Sequence, residues 1–148
     1  NVEIKFAGQL SSLNQTASFD QQRGVVTYAG VTPVDAPVGT HSVLSLLYAI
    51  RSFNLKPSKV MTNPVNDTRV AVFWDTRPVI FTLRPSEPAP IDLNGAKVPA
   101  QLITVSTGSQ NPVLDNAAIK VWLSMTGSRV PLRISAGQYV ADLIVETP

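Results

Sequence analysis

The chain has 148 residues, 44% of them hydrophobic and only 15% charged, and it contains no cysteine. That length suits one domain with a core of its own, and the missing thiols exclude disulfides, thiol catalysis and thiolate metal sites. Twelve basic against ten acidic residues leave a net charge of +2 with no run of like charge, so nucleic acid is not an expected partner.

Val2-Glu3-Ile4-Lys5-Phe6 alternates apolar and polar residues, the pattern of a strand with one buried face. Leu10 to Phe19 is polar and β-compatible, and Arg23 to Tyr28 reads as a further strand after a turn at Asp20–Gly24. Residues 29–39, with Gly30, Pro33, Pro37 and Gly39, read as a loop. A helix is predicted next, over about 42–53. Ser42 is its N-cap, and Val43, Leu46, Leu47, Ile50 and Phe53 fall on one stripe, within about 120° of arc at the helical period. Lys56-Pro57 stops it.

After a polar loop over Pro57–Thr68, Arg69–Trp74 and Val79–Arg84 form a predicted hairpin around Asp75-Thr76-Arg77-Pro78. Val70-Ala71-Val72-Phe73-Trp74 is apolar at every position, so both faces of this strand need cover. The helix supplies one cover; sheet closure, a ligand or a partner chain must supply the other. Pro85–Pro90 is an extended connector. Asn94-Gly95 is a two-residue hairpin turn between an arm at Ile91–Leu93 and a strand over Lys97–Thr107. Strands then follow over Ala117–Ser124, Val130–Ser135 and Gln138–Val145, with Pro131 placed where its missing N–H is harmless.

About eight or nine strands and one helix, with turns at short intervals, predict a mainly β chain: a highly curved antiparallel sheet or open β-barrel with one packed α-helix at about 42–53. Residues 1–148 are read as a single β-rich domain. No segment approaches the ~18 consecutive apolar residues of a membrane-spanning helix, so no transmembrane segment is expected.

Two stretches carry a resemblance. One is His41-Ser42-Val43-Leu44-Ser45-Leu46-Leu47-Tyr48-Ala49-Ile50-Arg51, followed by Leu55-Lys56-Pro57; the other is Ile119-Lys120-Val121-Trp122-Leu123-Ser124 with Arg129-Val130-Pro131-Leu132-Arg133-Ile134. Asn94-Gly95 before Val98-Pro99-Ala100 is a weaker third anchor. From about Phe19 onward the chain resembles a bacterial family of exported domains, the domain of unknown function numbered three-one-zero-eight. The resemblance implies a β-rich, barrel-like fold and a periplasmic, outer-membrane-associated or extracellular location in a bacterium, and no activity. The family's usual Asp at the helix cap is Ser42 here, which still caps but carries no acid or metal role. Its acidic residues after the Trp strand are replaced by Met125-Thr126-Gly127. Its additional N-terminal strands are either diverged into residues 1–18 or missing, as in a matured or shortened chain that starts at Asn1.

The residues for chemistry are sparse. His41 is the only histidine, and no Gly-x-Ser-x-Gly elbow surrounds Ser42 or Ser45. The carboxylates sit mostly in turns at no metal-like or dyad-like spacing. No catalytic residue, metal site or cofactor is therefore expected. Tyr48 and Arg51, one helical turn apart, are either an anchor for a ligand headgroup or a strand brace; Phe73, Trp74, Phe81 and Trp122 are either core or the lining of an apolar ligand or interface site. The expected function is a non-enzymatic structural or assembly subunit of the bacterial envelope, self-associating or meeting another envelope protein through sheet edges and apolar faces. The alternatives are a carrier of lipid or another hydrophobic ligand in a half-barrel, with Arg51 near the mouth, and an enzyme whose site assembles only in space.

Overall fold

The computed structural model describes residues 2–4, 15–28, 32–60, 62 and 66–143. Its strands are β1 (Val2–Ile4), β2 (Gln15–Asp20), β3 (Val25–Tyr28), β4 (Val34–Asp35), β5 (Thr68–Trp74), β6 (Arg77–Pro85), β7 (Ala89–Leu93), β8 (Ala96–Ser106), β9 (Lys120–Ser124), β10 (Pro131–Ala136) and β11 (Tyr139–Asp142). Helix α1 (Val43–Ala49) runs on as a 3-10 turn (Ile50–Ser52), and α2 is Pro112–Asn116. The mainly β, antiparallel expectation holds. The strands divide between two sheets, and no barrel closes among the described residues: a four-stranded sheet in the order β1-β2-β3-β4, and a larger one in the order β11-β10-β9-β8-β6-β5, with β7 also on β8. Parts of the expected strands, at residues 5, 6, 10–14, 144 and 145, lie outside the described residues.

The long strand β8 organises the larger sheet. One of its edges pairs with β9, while the other takes β7 along its first half and β6 along its second. The Pro85–Pro90 connector is thus a step between two segments that flank the same strand. The β7–β8 turn is the predicted Asn94-Gly95, with φ of 53° and 81°, the left-handed pair a two-residue turn of this kind requires. Pro131 opens β10 at a register shift, ahead of the residues that pair with β11, so its missing N–H disturbs no ladder there.

Helix α1 forms as the sequence predicts, and its cap is reciprocal. The Ser42 hydroxyl accepts from the Ser45 amide at 3.1 Å, and the Ser45 hydroxyl accepts from the Ser42 amide at 2.8 Å. Leu46 and Ile50 are buried against Val72, Val79, Phe81, Leu83, Ile103, Val121 and Leu123, with Leu47 and Phe53 packed at the margin. Val43, the fifth residue of the predicted stripe, is exposed instead. It lies beyond the edge of that core, at the mouth of the groove described below.

The second cover of β5 is the small sheet. Successive side chains of a strand alternate between faces. Val72 enters the core under the helix, and Phe73 packs on the other side with Val26 and Ala36, flanked by Ala17, Phe19, Tyr28 and Val34. The Phe73 ring meets Phe19 edge-on at 6.0 Å and Tyr28 at 6.4 Å. The apolar run over Val70–Trp74 is thus satisfied on both faces within one chain. The outer edge of β5 is also used: the His41 amide donates to the Ala71 carbonyl and the Phe73 amide to the His41 carbonyl, both at 2.8 Å. His41 stitches the connection out of the small sheet onto the large one.

A second difference lies between β8 and β9. A strand is expected from Ala117, but β9 begins at Lys120 and α2 precedes it. Asn111 caps α2 by accepting from the Leu114 amide at 3.2 Å, Pro112 occupies its first turn, and Ala118 at a φ of 48° turns the chain into β9.

Candidate functional site

Where the small sheet, the start of α1, the end of β5 and the start of α2 converge, they leave a groove of about 550 Å³. Ala17 and Phe19 of β2 and Tyr28 of β3 form one wall. Ser42, Val43 and Leu44 come from the capped end of α1, and Asn111 and Val113 from α2. Phe73, Trp74 and the turn residue Asp75 form the remaining side. The strand pairing explains the first wall: Ala17 lies opposite Tyr28 and Phe19 opposite Val26, so alternate residues of a short hairpin present one apolar face. Phe73 and Trp74 leave opposite faces of β5, so the groove wraps around the end of that strand.

The apolar surface here extends outward. Leu44 is 60% exposed and Val113 75%. Lined by aromatic rings with only a few polar groups, the groove has the size and character of a small-molecule site, for which about 300–1,000 Å³ is usual. The α2 wall is pinned from behind by Asp115. Its carboxylate accepts from the Thr107 amide at 2.6 Å, the Thr107 hydroxyl at 2.7 Å and the Ser109 amide at 2.9 Å. These bonds, the Thr107 amide first, hold the carboxyl below the usual aspartate range.

Of the six candidate residues from the sequence, the structure brings only Phe73 and Trp74 into the groove. Phe81 is in the core under the helix, and Trp122 leaves the opposite face of the large sheet to pack beside Leu93, Ala100 and Leu132. Tyr48 and Arg51 do meet each other, the guanidinium 5.1 Å from the ring centroid, but at the other end of α1. There Arg51 donates from Nε to the Ser128 carbonyl at 2.9 Å. It braces the β9–β10 turn and is not among the groove-lining residues.

The same turn returns the contact. Arg129 donates from Nη1 to the Phe53 carbonyl at 2.9 Å and from Nη2 to Oε1 of buried Gln101 at 3.0 Å. The Gln101 amide in turn donates to the carbonyls of Ser86 at 3.1 Å and Leu55 at 3.4 Å. The helical segment and the β9–β10 turn are thus tied together by reciprocal arginines, Arg51 donating to the Ser128 carbonyl and Arg129 to the Phe53 carbonyl.

His41 Nδ1 lies 3.4 Å from the Ser45 hydroxyl, which is already engaged in the helix cap. Among the described residues no group of three or more His, Asp or Glu side chains could hold a metal ion, and no helix is long and apolar enough to cross a membrane. Phe19, Tyr28, Leu44, Asp75, Asn111 and Val113 were not singled out in the sequence. The readable hints were the Asn111-Pro112 helix start and the alternation of Ala17, Phe19, Val26 and Tyr28 about the turn at Asp20–Gly24. Comparison with known proteins finds no family model, curated protein or solved structure that matches the chain.

Proposed function

We propose that the chain is a non-enzymatic protein of the bacterial envelope that binds a small hydrophobic ligand in the groove around Phe73 and Trp74. The observation that carries this reading is the groove itself: about 550 Å³, walled by Phe19, Tyr28, Phe73 and Trp74 and rimmed by Leu44 and Val113. The two-sided apolar strand that motivates an assembly role is covered by the small sheet, whereas the groove has no cover among the described residues. The low charge content and the family resemblance support the envelope setting. Native mass spectrometry after gentle extraction tests the reading: a bound hydrophobic small molecule is expected, and Leu44→Gln combined with Val113→Ser should abolish it. Recovery of the same ligand load from that double variant would refute groove binding.

One observation favours the assembly reading as a second role. Strand β11 is an outer strand of the large sheet, exposed throughout, with Tyr139 at 74% and Val140 at 61%. Such a strand can template pairing with another chain. Light scattering across a concentration series, with and without Val140→Lys, tests it. A concentration-independent monomer in the parent chain removes this role and leaves the groove reading intact.

A further inference from the structure

Resting on the groove-binding reading, we propose that the ligand is a hydrophobic molecule carrying one basic nitrogen, with its alkyl or aromatic body against Phe19, Phe73 and Trp74 and its cation beside Asp75.

Charge complementarity selects this ligand class. Asp75 is the one Asp, Glu, Lys, Arg or His among the described residues that line the groove. An anionic headgroup there would meet a like charge and no cation. Four of the arginines are engaged elsewhere: Arg51 with Ser128, Arg129 with Phe53 and Gln101, Arg84 with Asp67 at 2.7 Å, and Arg133 with Asp142 at 2.6 Å; Arg23 and Arg69 are not among the groove-lining residues. Arg77 lies opposite Trp74 across the turn but does not line the groove. An anchor at Arg51 would suit an acidic headgroup; Asp75, at the other end of α1, suits one of opposite sign.

The aromatic walls add to the same preference. Tyr28 and Phe19 flank Phe73 within 6.4 Å, and Trp74 follows it in the chain. The faces of such rings carry negative potential and attract ammonium groups, Trp most strongly. Neither contribution is large alone, because Asp75 is exposed and its field is screened by salt. Together they set the choice among ligands whose apolar bodies bind equally well.

The test uses three probes with one alkyl chain, octylammonium, octan-1-ol and octanoate, titrated at low salt into the ¹⁵N-labelled chain and followed through amide shifts at Phe73, Trp74 and Val113. Octylammonium is expected to bind roughly tenfold more tightly than octanol, a factor within the reach of one screened ion pair and one cation–π contact, with octanoate weakest. Asp75→Asn should remove most of that advantage, read as the ratio of octylammonium to octanol affinity in the same variant. Asparagine tolerates the left-handed φ of 58° at this turn, and Asp75→Gly is a second charge-removing variant with the same backbone freedom. Octanoate binding as tightly as octylammonium, or an ammonium preference that survives in both variants, overturns the proposal while leaving a groove that binds apolar molecules. If none of the three probes shifts those amides, the groove reading itself fails.

Discussion

The two ends of helix α1 are built from similar materials and do opposite things. At its C-terminal end, Arg51 and Phe53 meet the β9–β10 turn through a network of polar groups within the chain: Arg51 on Ser128, Arg129 on Phe53 and Gln101, Gln101 on Leu55 and Ser86, with only the buried Nε of Arg129 left without a partner among the described residues. At its N-terminal end the capping box closes on itself, and Val43 and Leu44 are left facing a groove instead of a core. The lesson is that residue type does not mark a site. An arginine beside a tyrosine on a helix reads as a ligand anchor, yet here it is spent on the fold. Exposed leucine and valine read as noise, yet here they rim the cavity that is open.

Both ends depend most on the buried segment that joins them. Ile50, where α1 passes into its 3-10 turn, is 1% exposed and packed in the core. Ile50→Ala is expected to destabilise the chain by about 2–5 kcal/mol, as large-to-small core changes do, and to weaken the arginine tie and the groove together. Urea denaturation with a parallel ligand titration checks it; loss at one end alone would mean that the two ends are not joined through this contact.

The next effect separates them. Arg129→Met keeps the apolar stem but leaves the Phe53 carbonyl and Gln101 Oε1 without their donors, for an expected loss of about 1–3 kcal/mol. The same variant should leave ligand affinity in the groove unchanged once measured on folded protein. A stability loss below about 0.5 kcal/mol would show the tie to be incidental.

How far each region could be read from the sequence follows from the range of the interactions that make it. Helix α1 has a local cap, a local stripe and a local stop, so Ser42 to Phe53 was legible. So were the turn at Asn94-Gly95 and the hairpin around Asp75. The need for a second cover over Val70–Trp74 was legible too, but not its identity. The covering sheet is made of short strands of mixed polarity whose one apolar face is defined only by the pairing of Ala17 with Tyr28 and Phe19 with Val26. Helix α2, five residues long, is too short for periodicity to register, and only the Asn111-Pro112 start betrays it. The groove joins residues from Ala17 to Val113, and no local pattern encodes that meeting. The choice between anchor and brace for Arg51 stayed open in the sequence for a related reason: the carbonyl that binds it is 77 positions away.

A smaller effect isolates the open end. Leu44 is largely solvent-exposed, so Leu44→Gln should change stability by no more than about 0.5 kcal/mol. It should still weaken binding of octan-1-ol measurably, because the probe loses apolar contact at the rim. A large stability loss would show that Leu44 belongs to the core and that the contrast between the helix ends is overdrawn.

The smallest effect is one of pH, and it acts on the groove through its α2 wall. The Asp115 carboxyl is held below an ordinary aspartate value near 3.8 by its hydrogen bonds to Thr107 and Ser109. A depressed carboxyl in the folded state stabilises the fold fully above the unfolded-state value, and that contribution is lost as pH falls through the lower, folded one. Stability should therefore be insensitive to Asp115 near neutral pH and decline in acid, in a window that opens near pH 3.8 and extends below it. Asp115→Asn should flatten part of that decline in thermal melts across the acid range. Asp142, depressed in the same direction by Arg133 at the far edge of the large sheet, is the comparator. Its replacement by Asn should flatten the acid decline without disturbing the groove, whereas Asp115→Asn should also shift the Val113 amide at neutral pH, because the same bonds hold the α2 wall of the groove.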